Sequence, residues 1–287
     1  MTQRRFPHSF ALTLSPISCA VAAVLFAAAC SAHAQQAALP EVVVNEGAAA
    51  PQADVSGFGD VPLRELPLSA TVIDSKQLIT SGARRLADLT QFDSSVTDAY
   101  NSAGYWDYLT VRGFVLDNRF NYRREGLPIS AETSIPLDNK ERVEILRGTS
   151  GIQAGTSAPG GLVNYVVKRP TEQDLRTVRI ETTSRGSVLG ALDLGARFGE
   201  ARQFGYRLNI ASENLKPLTH NLDGNRNMFS LAADWRITRD SVLEFEIEQS
   251  RKTQPSQNGY SLLGSVLPAP VDPRINLNNQ PWSQPSV

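Results

Sequence analysis

Beyond residue 34 the sequence holds no cysteine, since Cys19 and Cys30 both fall before it, and of its three histidines only His220 lies further on. A disulfide framework, a cysteine-ligated metal and a His-rich zinc site are therefore excluded from the bulk of the chain. Excess positive charge is missing too. Twenty-eight basic residues face twenty-nine acidic ones, and setting residues 1–34 aside removes Arg4 and Arg5 and no acid, which moves the net charge from −1 to −3. Nothing in that balance points to nucleic acid. Nor is there an apolar run long enough to cross a bilayer as a helix. The densest one, Ile17 to Ala29, falls short of the roughly 20 residues a span needs.

That short run follows Arg4-Arg5 and precedes Ala32-His33-Ala34, the small-x-small pattern of a cleavage site. Residues 1–34 therefore read as a secretory signal peptide removed after Ala34. Ala28-Ala29-Cys30 also resembles the end of a lipidation box, although Ala27 stands where such boxes favour Leu. Residues 35–56, rich in Ala, Gln and Pro, read as a flexible segment. Within it Leu39-Pro40-Glu41-Val42-Val43-Val44-Asn45 favours the extended state. It is either a solvated stub or a peptide that adds as a strand to a partner's sheet edge.

From 57 to 170 the pattern is mixed α/β. Ser69–Ile73 reads as a strand, Asp74 with Gln77 as a capping box opening a short helix, and Gly82 as its C-terminal cap. Arg84–Leu89 reads as a second helical piece, and Tyr108–Arg112, Phe120–Arg123, Arg142–Leu146 and Leu162–Val167 as strands parted by Gly and Pro turns. After Pro170 the period becomes two. Val178 and Ile180 begin it, followed by Leu192 to Phe198, Phe204 to Ile210, Phe229 to Ile237 and Leu243 to Ile247. The opposite faces carry Asp193, Arg197, Asp234, Arg236 and three glutamates. A soluble sandwich would alternate as well, but full charges on one face suit a filled barrel lumen. Short connections at 199–203 and 238–241 alternate with longer ones at 214–227 and beyond 251, the habit of periplasmic turns and outer loops, and only 185–187 breaks it. The predicted fold class is an α+β plug domain followed by the first five antiparallel strands of a transmembrane β-barrel. A plugged transporter barrel uses about 22 strands, so the sequence is expected to be a piece of a longer protein. The expected division is 1–34 leader, 35–56 flexible segment, 57–170 plug and 171–287 incomplete barrel.

These residues resemble the TonB-dependent siderophore receptor family. Leu39–Asn45 is similar to its TonB box, Val111-Arg112-Gly113-Phe114 to its Ile/Val-Arg-Gly-Phe strand and turn, and Tyr122–Pro128 to its Asn/Asp-Gly-Leu-Pro hairpin. Arg142–Pro170 is similar nearly end to end to its plug signature, and carries Glu144, Arg147, Gly148, Gly160, Gly161 and Asn164. Gln153-Ala154-Gly155 departs from the family's Leu-Tyr-Gly, so an aromatic that often touches ligand is missing. No signalling domain precedes the box, which implies transport without direct signalling.

The resemblance implies import of a ferric siderophore across the cell outer membrane, driven by TonB with ExbB–ExbD through Glu41, Val42, Val43, Val44 and Asn45. Iron(III) would arrive chelated, with no cofactor bound to the protein and outer-membrane lipid around it. It gives Glu144 and Arg147 polar contacts with the barrel wall. Asn101, Tyr105, Trp106, Tyr108, Gln153 and Thr156 are the candidate ligand contacts, with burial against the barrel as the alternative for the three aromatics. Cobalamin, haem or a glycan, and a signalling role, remain alternatives. No nucleophile–base pair or metal cluster supports an enzyme.

Overall fold

The structure, a computed structural model, describes residues 63–65, 68–100, 104, 106–148, 159–256, 265, 272 and 274–276. Residues 41–45 and Asn101, Tyr105, Gln153 and Thr156 lie outside them.

The first half begins with strand β1 (Ser69–Asp74) and helix α1 (Ser75–Thr80). The capping box forms as expected. Asp74 accepts from Gln77 N at 2.7 Å, and the Gln77 side chain accepts from Asp74 N at 3.0 Å. At the other end Ala83 N donates to Leu78 O at 3.1 Å and Gly82 N to Ile79 O at 3.0 Å, the paired bonds of a Schellman cap. The second helical piece is a 3₁₀ helix, Leu86–Phe92, beginning two residues later than the sequence suggests. Asp88 explains the late start, because its carboxylate accepts from both Arg84 N and Arg85 N and holds them outside the helix.

Short strands follow: β2 (Val96–Asp98), β3 (Leu109–Val111), β4 (Phe114–Val115), β5 (Tyr122–Arg124) and β6 (Leu127–Pro128). Two long ones, β7 (Lys140–Arg147) and β8 (Gly161–Val167), complete this half. One sheet has the order β1-β7-β8-β5-β6, with β5 and β8 parallel, and a second runs β2-β3-β4. Ile73, Leu89, Leu109, Tyr122, Val143, Ile145, Val163 and Tyr165 form the core between them.

The second half is one antiparallel meander: β9 (Leu175–Thr182), β10 (Val188–Phe198), β11 (Phe204–Leu215), β12 (Gly224–Arg236) and β13 (Val242–Thr253). All five alternating segments are strands, and several run longer than their apolar alternation. β11 and β12 stay paired through Glu213↔Arg226 and Asn214↔Asn225, so the long connection shrinks to 216–223. Alternation marks only the part of a strand with one apolar face, whereas pairing continues where both faces are polar.

The sheet's amphipathicity is inverted relative to a soluble protein. Val178 and Ile180 are 73% and 76% exposed, and Phe245 is 57% exposed, while Arg207, Asn209, Glu213, Arg226 and Ser230 on the other face are buried against the first half. A sandwich would bury the apolar face. Only a solvent that prefers apolar surface, a lipid, makes this arrangement stable. Near the short connections the outer face carries a row of neighbouring rings. Phe198 lies 5.4 Å from Phe204, and Phe204 5.7 Å from Trp235, as at an interfacial girdle.

Candidate functional site

Two tight hairpins carry the first motifs. Val111 pairs with Phe114 and Arg124 with Leu127, so each turn holds two residues. Both pairs, Arg112-Gly113 at φ 50° and 84° and Glu125-Gly126 at 50° and 77°, have positive φ, as type I′ turns require. The non-glycine strain at Glu125 is held by bonds. Its N donates to Tyr165 O at 3.0 Å, its carboxylate accepts from Val167 N, and Gly126 N donates to Asn164 Oδ1 at 2.9 Å. Phe114 sits at its turn half exposed.

Asn164 also reaches back. Its Nδ2 donates to Glu144 at 3.0 Å, and Arg142 Nε donates to the same carboxylate at 2.8 Å. Glu144 is completely buried. Arg147 donates to Asp93 at 2.7 Å, where Thr71 Oγ1 and Ser95 also donate. Burial alone would raise the Asp93 carboxyl, but the hydrogen bonds from Ser95 and Thr71, with Arg147 beside it, hold it below the usual carboxylate range. Arg142 and Asn164 beside Glu144, and Asp93 beside Arg147, all belong to the plug, whereas the resemblance implied contacts with the wall. The reason is register: β7 lies between β1 and β8, so its charges meet plug neighbours first. Gly148 N and Gly160 O close the signature loop at 2.8 Å. Gly161 has φ 132°, and a Cβ there would stand 1.9 Å from Leu146 O, so no other residue fits.

The wall is met by other plug residues. Asp138 accepts from Arg179 at 3.1 Å and from Arg226 at 2.5 Å. Arg84 pairs with Glu181 and Glu213, and Arg124 with Glu246 and Glu248. Fully buried Lys140 donates to Glu248 at 3.0 Å, and Asn139 bonds Ser230 at 2.9 Å. Burial pushes the Lys140 amine down to about 8, against the pull of Glu248. Burial would also raise the Asp138 carboxyl, but Arg226 and Arg179 hold it low. None of these wall contacts was singled out in the sequence; their signal was the run of charges on the polar face of β9–β13, which had to find opposite charges on the plug.

The aromatic candidates divide. Tyr108 is buried and stacked on Tyr122 at 5.7 Å, and the Tyr122 hydroxyl accepts from Leu109 N at 2.9 Å. Tyr108 is thus a core residue. Trp106 packs at the core's edge, 6.5 Å edge-on to Tyr100, which is 44% exposed and was not among the candidates. A cavity of about 920 Å³ opens between the plug and the ends of β9, β11 and β13 on the long-connection side, lined by Arg84, Arg85, Glu181, Arg185, Glu213 and Lys252 among others.

With this geometry in place, the comparisons are decisive. Residues 62–162 match the TonB-dependent Receptor Plug Domain family model. The chain is 25% identical over 232 residues to a ferrichrome receptor of Yersinia enterocolitica, covering 79% of this chain and 30% of that protein. It is 24% identical over 225 residues to the ferrichrome outer membrane transporter/phage receptor of Escherichia coli K12, covering 75% and 30%. The chain is thus similar to siderophore receptors and carries the plug domain of TonB-dependent receptors over residues 62–162. Among solved structures, the ferric preacinetobactin receptor of Acinetobacter baumannii superimposes with a TM-score of 0.64 at 20% identity, over 76% of this chain and 33% of that one. The first half is therefore a plug domain, and the meander matches strands of the barrel wall in such receptors. The chain spans about 30% of the length of the ferrichrome relatives it matches.

Proposed function

We propose that the receptor imports a ferric siderophore across the outer membrane by energy-coupled transport. The observation that carries this reading is the inverted sheet, with lipid-compatible side chains outside and a charged inner face packed against a folded plug. A passage so filled needs work to open, and an outer membrane has neither ATP nor an ion gradient of its own. We assign delivery of that work to TonB, with ExbB–ExbD, acting on Glu41–Asn45 after removal of residues 1–34, with residues 57–170 as the plug and the wall beginning at 171. The iron arrives already chelated, so the protein supplies stacking and hydrogen-bonding groups rather than metal ligands. Trp106 and Tyr100, packed edge-on 6.5 Å apart, are the described groups suited to that, with Asn101, Tyr105, Gln153 and Thr156 as further candidates.

The test separates binding from uptake. Val43→Pro removes a main-chain donor from the peptide and restricts its pairing as a strand. In a strain without other receptors, surface binding of radio-iron ferrichrome and of further ferric siderophores should stay at the wild-type level while accumulation falls at least tenfold. Normal accumulation would show that this segment does not couple transport.

A further inference from the structure

The cavity of about 920 Å³ on the long-connection side has room for a siderophore-sized molecule. Among the described residues that line it, basic side chains outnumber acidic ones six to three, and none is aromatic. All three acids are already paired. Arg84 holds Glu181 and Glu213, Arg226 donates to Glu213 at 2.6 Å, and Arg85 lies 3.6 Å from Asp88. Lys216 has Asp223 at 3.1 Å. Two cations are left over. Arg185, exposed in the 183–187 connection, and half-buried Lys252 make no ion pair or hydrogen bond among the described residues.

Lys252 also stands where the fold gives it no counter-ion. Glu181, Leu189, Glu213, Arg226 and Lys252 form one row across β9–β13, each opposite the next. Arg226 takes Glu213 on one side and Asp138 of the plug, so Lys252 faces an arginine rather than an acid. Like charges directly opposite each other in a sheet are destabilising. Packing therefore gives no reason for a lysine at 252, whereas an anion entering the cavity does.

We propose that this cavity selects an anionic, non-aromatic ferric complex, that of a polycarboxylate of the citrate type, whose outward carboxylates are received by Lys252 at the floor and Arg185 at the mouth. Cations without counter-ions make strong charge-assisted bonds to carboxylate. The lining has no ring on which an aryl chelator would stack, and a neutral complex would leave both cations unanswered. The assignment rests on the import reading and narrows its substrate.

The experiment measures binding of three radio-iron complexes to the whole receptor in outer-membrane vesicles: ferric citrate, neutral ferrichrome, and ferric enterobactin, which is anionic but aromatic. Ferric citrate should bind roughly tenfold or more tighter than either of the others. Binding of either comparison complex as tight as that of ferric citrate would overturn the proposal. Lys252→Gln should weaken ferric citrate about tenfold, the loss of one charge-assisted contact, and Lys252→Arg should recover most of it. Arg185→Gln changes an exposed connection and leaves the fold alone; it should weaken binding about threefold. Arg239→Gln, the same loss of charge in the exposed 238–241 connection, should change nothing. Wild-type affinity in Lys252→Gln or Arg185→Gln, or an equal loss in Arg239→Gln, would overturn the site. Accumulation measured beside binding separates this from import. Tight, Lys252-dependent binding of ferric citrate with no accumulation would refute import and leave the site standing. Accumulation of ferrichrome alone would overturn the site and leave import standing.

Discussion

At the scale of residues, buried charges among the described residues, such as Asp138, Lys140 and Arg226, meet opposite charges. Asp138 is the sharpest case, a plug carboxylate between Arg179 and Arg226 of the wall. Its folded pKa lies below the ordinary 3.8. A carboxyl shifted down contributes stability that is full above its unfolded value and lost as pH falls through the folded one. Plug–wall contact should therefore hold at neutral pH and loosen below about pH 4. Asp138→Asn should reproduce the acid state at pH 7, costing about 2 kcal/mol because buried Arg226 and half-buried Arg179 each lose one of two carboxylate partners and keep Glu213 and Glu181. Hydrogen exchange of β7 and β8 in outer-membrane vesicles measures this, and equal protection in variant and wild type at pH 7 would refute it. The sequence displayed this charge but not its partner. Asp138 stands in an unremarkable Leu-Asp-Asn-Lys stretch, and the plug partners of Glu144 and Arg147 were hidden for the same reason: pairing is set by sheet order and register, which no local pattern encodes.

At the scale of elements, more was legible. The Asp74–Gln77 capping box, the Arg112-Gly113 and Glu125-Gly126 turns and the five alternating strands depend on neighbours two to four positions away, and each formed. Strand ends and the short strands β2, β4 and β6 were not legible, because pairing rather than periodicity makes them. Tyr108 could be read as a ligand contact or as buried against the barrel, and its stack on Tyr122 puts it in the core of the plug. The outer face gives a prediction that depends on depth. Leu231 lies mid-belt between Phe229 and Ala233, and Asn227 lies past the apolar stretch toward the long connection. Leu231→Arg should destabilise the folded barrel by about 2–4 kcal/mol and Asn227→Arg by about 0–1 kcal/mol. Urea titration in lipid vesicles would compare them, and equal costs would mean that the face does not lie in hydrocarbon.

At the scale of the whole molecule, the account makes one claim on which the others depend: the sheet is a membrane wall with its apolar face in lipid and its charged face around the plug. Single cysteines at 228 to 235 along β12, carrying an environment-sensitive fluorophore in outer-membrane vesicles, test it directly. Phe229, Leu231, Ala233 and Trp235 should report an apolar, lipid-quenchable environment, and Met228, Ser230, Ala232 and Asp234 a protected one that lipid quenchers do not reach. The pattern should alternate at every step. Quenching that is uniform along the strand, or strongest at 230, 232 and 234, would contradict the account.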